Sequence, residues 1–568
     1  MNRRDLILRG VAATAIAGAG RLLVREAQAG AAPGRYTAAF APLDAFVEAY
    51  VREMNAPGMT LSLADADGSQ RVCVYGFDDP SQHRPLQTEQ LFHIGSISKS
   101  FTALCLLQMR DEGKLDLHKP IAAYLPWLRF DPATRPLTAH DLLTHAAALP
   151  DGPLFPADPA FRHRATAAPA SFFHYCNMGY AALGHLLVAL DGRPLAQVFR
   201  ARLLTPLGMN ASEPVITLDA AERIASSFWP VLNDRPYARH GRLLQAPPTA
   251  MVDASGCVAS TARDMSAYLG LIINRGRIAN GRLLSEAGFE LFATPHIAAE
   301  EFGPGASYGY GIAVDTLDGH KRLRHTGGML SFASALEVDL DAGVGAFASI
   351  NAMQGYRPRP VAEYALRLMR ACREGGKLPD PPAVESSARV ANAAEYAGRY
   401  AAGQGDVLEI VAEGDRLFLL RDGARVALEP DADQADGFIV LHPELSRFAL
   451  LFGRAGAEGK GAVVEAGWGD RWFATERYSG PREFPVPAEW RRYPGHYRNE
   501  DPWIGSHHVV LRKGRLWLNG SVPLQAGGDG RFWLRDEPHS PEWVKFTEVV
   551  NGVAQRMVLS GANLWRSA

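Results

Sequence analysis

Residues 101–109, Phe-Thr-Ala-Leu-Cys-Leu-Leu-Gln-Met, are apolar around most of a helical circumference. A helix with so little polar surface has to be buried on most sides, so the rest of the chain must be built around it. Gly113 is its expected C-cap. Directly ahead stand Phe92-His93-Ile94-Gly95-Ser96-Ile97-Ser98-Lys99, and residues three apart share a helical face. Ser96 and Lys99 are therefore expected together on the turn that opens the helix. A serine hydroxyl is a poor nucleophile at neutral pH unless a base stands beside it. An ammonium held against such a core is expected to have its pKa lowered by desolvation, leaving a fraction free to take a proton from Ser96. Taken alone, Ser-x-x-Lys also fits an N-terminal helix serine beside a solvated lysine.

At 568 residues the chain is too long for one hydrophobic core, so two to four domains are expected. A formal charge of -2, with no basic patch interleaved with aromatics, gives no footprint for nucleic acid. Cys73, Cys105, Cys176, Cys257 and Cys372 are scattered without close pairs. That is neither a zinc spacing nor a disulfide framework, so no structural disulfide, no metal site and no cofactor are expected. At the start, Arg3-Arg4 precede an Ala/Gly-rich stretch and Ala27-Gln28-Ala29, although Arg21 and Arg25 interrupt the region. Residues 1–29 read as a bacterial twin-arginine signal cleaved after Ala29. No other stretch reaches the roughly 18 uninterrupted apolar residues of a membrane span. A periplasmic or secreted protein is expected, and a homo-oligomer is compatible with the sequence.

Along the chain, Leu43, Phe46, Val47, Tyr50, Val51 and Met54 recur at helical spacing until Pro57-Gly58. Residues 59–64 and 72–75 flank Ala66-Asp67-Gly68-Ser69 and predict a hairpin. Pro120 starts a short helix, and Thr138 caps another that runs to His145. A histidine at the end of an apolar helix is more often structural than catalytic. Tyr175 and Asn177, two apart, project to one side of an extended segment, with His174 and Cys176 on the other. A phenol near a lysine loses its proton more easily than one in water, and an amide can hold a lysine or a substrate carbonyl. In Lys321-Arg322-Leu323-Arg324-His325-Thr326-Gly327-Gly328 a strand ends in two glycines. Substrate backbone can approach there, and the amides can bond it or supply an oxyanion donor. A core tyrosine, a turn asparagine and a structural His-Thr-Gly would account for these segments one at a time.

Taken together, the three segments occur in order, with Leu142-Leu143-Thr144-His145 and Ser260-Thr261-Ala262-Arg263-Asp264 between them. So arranged they resemble the motifs of the serine penicillin-recognising enzymes, in the branch of class C β-lactamases, D,D-carboxypeptidases, D-aminopeptidases and esterases. The likeness covers residues 36–376. It implies an α/β (α+β) catalytic domain, an antiparallel sheet covered by helices beside an all-helical lobe. It also implies that Ser96 attacks an acyl carbon and forms an acyl-enzyme, with Lys99 and Tyr175 sharing the general-base and general-acid work. Asn177 would orient the lysine and the substrate. His325, Thr326, Gly327 and Gly328 would line the substrate, the amides of Ser96 and Gly328 would hold the oxyanion, and water would release the product with help from Tyr175.

One departure bears on substrate. Where carboxypeptidases and β-lactamases of this group carry a lysine, this chain has His325, which is mostly neutral at pH 7. Arg322 and Arg324 would point to the opposite face of the strand, and Lys321 lies about 13 Å away along the same face. Recognition of a free carboxylate is thereby weakened. The resemblance then favours a small-molecule or short-peptide substrate of the D-aminopeptidase or esterase kind, an amide or ester. The alternatives are a class C-type β-lactamase or D,D-carboxypeptidase and, more remotely, a non-catalytic binding protein on the same scaffold.

Composition changes after Cys372. Gly375-Gly376-Lys377-Leu378-Pro379-Asp380-Pro381-Pro382 reads as a linker, placed at 377–391. Beyond it Tyr396-Ala397-Gly398-Arg399-Tyr400 recurs as Tyr493-Pro494-Gly495-His496-Tyr497. Gly414-Asp415-Arg416-Leu417-Phe418-Leu419 likewise recurs as Gly514-Arg515-Leu516-Trp517-Leu518. Asp422-Gly423 and Asn551-Gly552 are hairpin turns between alternating strands. Residues 392–480 and 488–568 are therefore expected to form two small antiparallel β-barrels or sandwiches. The family resemblance suggests lipocalin-like barrels, and nothing in the repeats supplies a catalytic set.

Overall fold

Helix α1 (Thr37–Glu53) buries Leu43, Phe46, Val47, Tyr50 and Val51, as its apolar spacing predicts. Strands β1 (Gly58–Asp65) and β2 (Gln70–Asp79) form the hairpin that follows. In this computed structural model residues 24–27 and 34–567 are described, except 159–160, 233, 354–356, 385, 404, 433, 457–458 and 535–538. Of the expected leader, only Val24–Ala27 falls within them, paired antiparallel with the outer side of β2. The rest of residues 1–29 lies outside the described residues.

The apolar run is helix α2 (Ser98–Asp111), in which eleven of fourteen residues are buried, so it sits at the centre of the domain. Gly113, just past its end, has φ +73, the left-handed geometry that glycine tolerates at that position. Ser96 lies in a 3₁₀ turn, Gly95–Ile97, rather than in the α-helix proper. Thr138 caps Ala139–Leu143 through a reciprocal capping box with Asp141. Helices α3 (Asn177–Asp191) and α4 (Ala262–Ile273) pack around α2. Phe101 of α2 stacks on Tyr268 of α4 at 4.0 Å between ring centroids, and burial of such a side chain stabilises by about 2–3 kcal/mol.

The sheet is completed by β3 (Ala313–Leu317), β4 (His320–Gly328), β5 (Ala333–Asp339) and β6 (Val344–Ile350). Its order is β2-β1-β6-β5-β4-β3, antiparallel throughout, with Ser307–Tyr308 and Ile297–Ala298 beyond β3. Strands from the two ends of the domain meet at β1 and β6, so the helical lobe is an excursion between them. Helix α5 (Arg359–Glu374) joins α1 on one face, where Phe46 meets Tyr364 edge-on at 4.9 Å. Helices α2 and α4 cover the other face. The alternation on β4 sends Arg322 and Arg324 to the face away from His325, where both pair with Asp315.

The C-terminal repeats form two closed eight-stranded antiparallel barrels, in which each strand pairs with its chain neighbour and the last returns to the first. The first runs from Gly398–Ala401 to Arg471–Ala474 and the second from Gly495–Arg498 to Ala562–Arg566. Closure leaves no exposed sheet edge. The repeated tyrosines do the same work in both copies. Tyr400 donates its hydroxyl hydrogen to Tyr396 O at 2.7 Å, and Tyr497 to Tyr493 O at 2.7 Å. In the Asp-Gly and Asn-Gly turns both residues have positive φ, 50 and 76 for the first pair, 51 and 78 for the second, as primed hairpin turns require. The second barrel lies hard against the catalytic domain: a Cβ on Gly152 would stand 2.1 Å from Ser560 O.

Candidate active site

Between residues 91 and 100 only Ser96 is not buried. The turn at Gly95 aims it outward, and glycine is required there twice over. Gly95 has φ +55, and a Cβ on it would stand 2.8 Å from Gly328 O and 2.9 Å from Gly328 N. Across the gap, a Cβ on Gly327 would stand 1.9 Å from Ile94 O. The serine turn and the end of β4 are thus in backbone contact, which brings Gly328 beside the turn that carries Ser96.

Lys99 is wholly buried. Its Nζ lies 2.7 Å from Asn177 Oδ1, 2.8 Å from Ser255 O and 3.0 Å from Ser96 Oγ. Two of these neighbours can only accept, so they take two N–H bonds. The third tetrahedral position faces the Ser96 hydroxyl, carrying a proton in the ammonium and a lone pair in the amine. Burial brings the lysine down to about 7, against the opposing pull of Asp151 and Asp253. The amine form is therefore well populated near neutrality.

The carboxylate of Asp151 sets the Asn177 amide: Asn177 Nδ2 donates to Asp151 Oδ2 at 2.8 Å, and the Met178 amide donates to Oδ1 at 2.9 Å. Oδ1 of Asn177 must then face Lys99, which fixes the amide's orientation. Burial raises the Asp151 pKa. Asp151 is in turn held from the second barrel, where Glu542 Oε1 accepts from the Asp151 amide at 2.6 Å and contacts His174 Nε2 at 2.9 Å. Ser560 donates to the other Glu542 oxygen. His174 thus faces away from the serine, and Cys176 is buried against Pro150 O, the sides that alternation gives them.

Tyr175 reaches the same cleft, its ring centroid 4.7 Å from Lys99 Nζ. Burial raises its pKa, with the contact to the Ser96 hydroxyl acting in the other direction. This corrects the expectation that a phenol near lysine would ionise more easily, since burial dominates its ionisation. Tyr175 is a phenol at neutral pH, a donor rather than a base. Under it packs His145, centroids 4.3 Å apart, whose Nδ1 accepts from the Cys176 amide at 3.0 Å.

His325 is 2% exposed. Its Nε2 lies 2.8 Å from the Tyr308 hydroxyl and its Nδ1 2.6 Å from Thr326 O. Burial, reinforced by Lys99, brings it down to about 3, so it is neutral. Its ring stands 6.2 Å from that of Tyr175 and 5.4 Å from that of Phe302. Thr326 and Gly328 are exposed and Gly327 is buried. The structure thus brings Ser96, Lys99, Tyr175, Asn177 and the end of β4 to one cleft. Sequence reasoning missed Asp151 and Glu542. Neither lies in a spaced pattern, and only the turn-forming composition of Pro150-Asp151-Gly152 marks the former.

A family model described as Beta-lactamase matches residues 43–370. An uncharacterized protein of Mycobacterium tuberculosis is 26% identical over 303 residues, 45% of this chain and 75% of that one. The D-alanyl-D-alanine-carboxypeptidase/endopeptidase AmpH of Escherichia coli is 28% identical over 187 residues, 29% of this chain and 47% of that one. Among solved structures, the octameric penicillin-binding protein homologue from Pyrococcus abyssi shares the fold with a TM-score of 0.56 at 24% identity, over 77% of this chain and 98% of that one.

Proposed function

Because this chain belongs to the Beta-lactamase family, we propose that it is a serine hydrolase that cleaves amides or esters through an acyl-enzyme on Ser96. The observation that carries this reading is the buried Lys99, brought to about 7 and 3.0 Å from the serine oxygen. In the proposed cycle the Lys99 amine takes the Ser96 proton as the oxygen attacks the acyl carbon. The amides of Ser96 and Gly328 receive the oxyanion. Tyr175, protonated, donates to the leaving group, and the phenolate so formed takes a proton from the water that deacylates the enzyme, while the Lys99 ammonium returns its proton to Ser96 Oγ as that oxygen departs.

The substrate we favour is a D-amino-acid amide or peptide, or a short ester. His325 is buried and neutral, and Arg322 and Arg324 are engaged behind the strand. No fixed cation on β4 therefore supports a substrate carboxylate. The name of AmpH favours the second reading, a carboxypeptidase. A panel of a D-alanyl amide, a short aryl ester, a D-alanyl-D-alanine peptide and a cephalosporin separates the two, with preference for either of the last two overturning the first. Hydrolysis itself is tested by mass spectrometry after a fluorophosphonate. A single adduct on Ser96, absent in Ser96→Ala, is expected, and an unlabelled wild type would leave a binding protein instead. Export by the twin-arginine route belongs to the same proposal, and the secreted chain is expected to begin at Gly30 on N-terminal sequencing.

Glu542 gives a further prediction. Its carboxylate receives donors from Asp151, His174 and Ser560, and the Gln amide group would turn N–H toward one of them. Glu542→Gln is expected to lower kcat about 10-fold through displacement of Tyr175 and Asn177, with the melting temperature changed little. An unchanged kcat would make the contact purely structural.

A further inference from the structure

A second cluster of side chains lies at the same domain junction, outside the catalytic set. His496, in the strand Gly495–Arg498, and His508, in Ser506–Arg512, are direct partners across the first two strands of the second barrel. Their rings stack with centroids 4.2 Å apart and 11° between planes. Asp234 reaches them from the catalytic domain, on the loop between Phe228–Pro230 and Leu243–Gln245. One donor atom from each of the three residues lies within 4.8 Å of the others.

Three features distinguish this cluster from an incidental contact. Nε2 of both imidazoles is buried with no hydrogen-bond partner, and His508 as a whole is 7% exposed. Buried polar atoms are rarely left so, and here two stand side by side. Second, His508 Nε2 is 3.5 Å from Asp234 Oδ2. That is long for a charge-assisted hydrogen bond, usually about 2.7–2.9 Å. It matches the roughly 3.4 Å edge of a tetrahedron whose centre is about 2.0–2.2 Å from each ligand. Third, the outer groups are in place. Ser567 Oγ is 2.8 Å from His496 Nδ1, which leaves Nε2 for a ligand bond. Arg235 Nε donates to Asp234 Oδ1 at 2.8 Å, with a longer 3.4 Å contact to Oδ2. Partners of this kind orient metal-binding imidazoles and carboxylates.

A cavity of about 360 Å³ adjoins His508 and Asp234, with Arg235, Arg239, Arg447, Glu429 and Asp431 in its lining. Water from it can fill the fourth position. The three arginines oppose a cation and the two carboxylates favour one, so moderate affinity follows.

We propose that Asp234, His496 and His508 form a site for a divalent transition-metal ion, zinc by its ligand set, that clips the second barrel to the catalytic domain. The inference is independent of the reaction proposed for Ser96. The same barrel carries Glu542, so the ion also steadies the contact behind Asp151.

The full chain, stripped with chelator, is titrated calorimetrically with Zn²⁺ alone and melted with and without it. Saturable binding at about one equivalent is expected, with a higher melting temperature when the ion is present. His496→Ala and His508→Ala are each expected to weaken binding at least about 100-fold and to remove the thermal shift. Asp234→Asn, which lies outside the barrel, is expected to weaken it less. Circular dichroism of the metal-free variants matching that of the wild type shows that the barrel is folded. Co²⁺ in place of Zn²⁺ is expected to give the visible bands of a four-coordinate site in the wild type alone. Absence of saturable Zn²⁺ binding, or binding and thermal shift that survive in the His496→Ala/His508→Ala double variant, overturns the proposal.

Discussion

Replacement of Lys99 by methionine is expected to lower kcat/KM by about 10⁴-fold, measured on whichever ester or amide the wild type turns over. Methionine keeps the length and apolar character of the side chain, so α2 retains its packing, while the only base within reach of Ser96 Oγ among the described residues is lost. Tyr175 cannot take its place, since burial holds its phenol protonated. The pH profile gives an independent check. In the wild type the acylation rate is expected to rise with pH through about 7, as the ammonium gives way to the amine, and the residual activity of Lys99→Met is expected to lack that inflection. Stability responds to the same titration. The folded lysine loses its proton near 7 and the unfolded one near its ordinary 10.5, so between those values the unfolded state binds more protons and wild-type stability rises with pH. Relative to Lys99→Met, the wild type is therefore expected to gain stability from about pH 7 upward. A pH-independent difference in urea midpoints, together with an unchanged inflection in rate, would remove Lys99 from the base's role.

How much of this was legible depends on how far apart the interacting groups lie in sequence. Ser96 and Lys99 share one helical turn, Tyr175 and Asn177 one extended segment, and Asp422-Gly423 one hairpin, so local periodicity and turn chemistry expose each pair. The side of β4 on which His325 falls was equally plain from alternation. What it meets there was not, because Tyr308 and Phe302 come from a separate stretch whose packing no spacing rule reports. Tyr175 shows the same limit in electrostatics. The nearby lysine was inferable, but the depth of burial that governs the phenol belongs to the assembled fold. Asp151 and Glu542 are 391 residues apart, and each is an isolated acid whose link to the other only domain docking supplies. The Asp234, His496 and His508 cluster is hidden for the same reason. Cysteine spacing spoke against a zinc site made of thiolates, and it carries no information on imidazoles brought together by barrel register.

Gly327→Ala is expected to damage both activity and stability, for one geometric reason. The added methyl would stand 1.9 Å from Ile94 O, a backbone atom of the turn that carries Ser96, so no side-chain rotation relieves the contact. The φ of Gly327 is not in the left-handed region, so alanine meets no backbone strain and the clash acts alone. Either β4 or the serine turn must retreat by an ångström or more, and the Gly328 amide moves away from the Ser96 amide with it. Loss of one oxyanion donor typically lowers kcat by about 10²- to 10³-fold, while overpacking of this kind destabilises by about 1–3 kcal/mol. The two effects separate experimentally. Kinetics below the melting transition report the oxyanion site, and kcat is expected to fall far more than KM rises, because the lost contact is made mainly in the transition state. Gly328→Ala offers the comparison, since its Cβ meets only the mobile end of Met353 at 3.0 Å, and it is expected to be much milder. If Gly327→Ala retained full kcat, the apposition of the serine turn with β4 would not be what holds the oxyanion, and the donor would have to be sought elsewhere around Ser96.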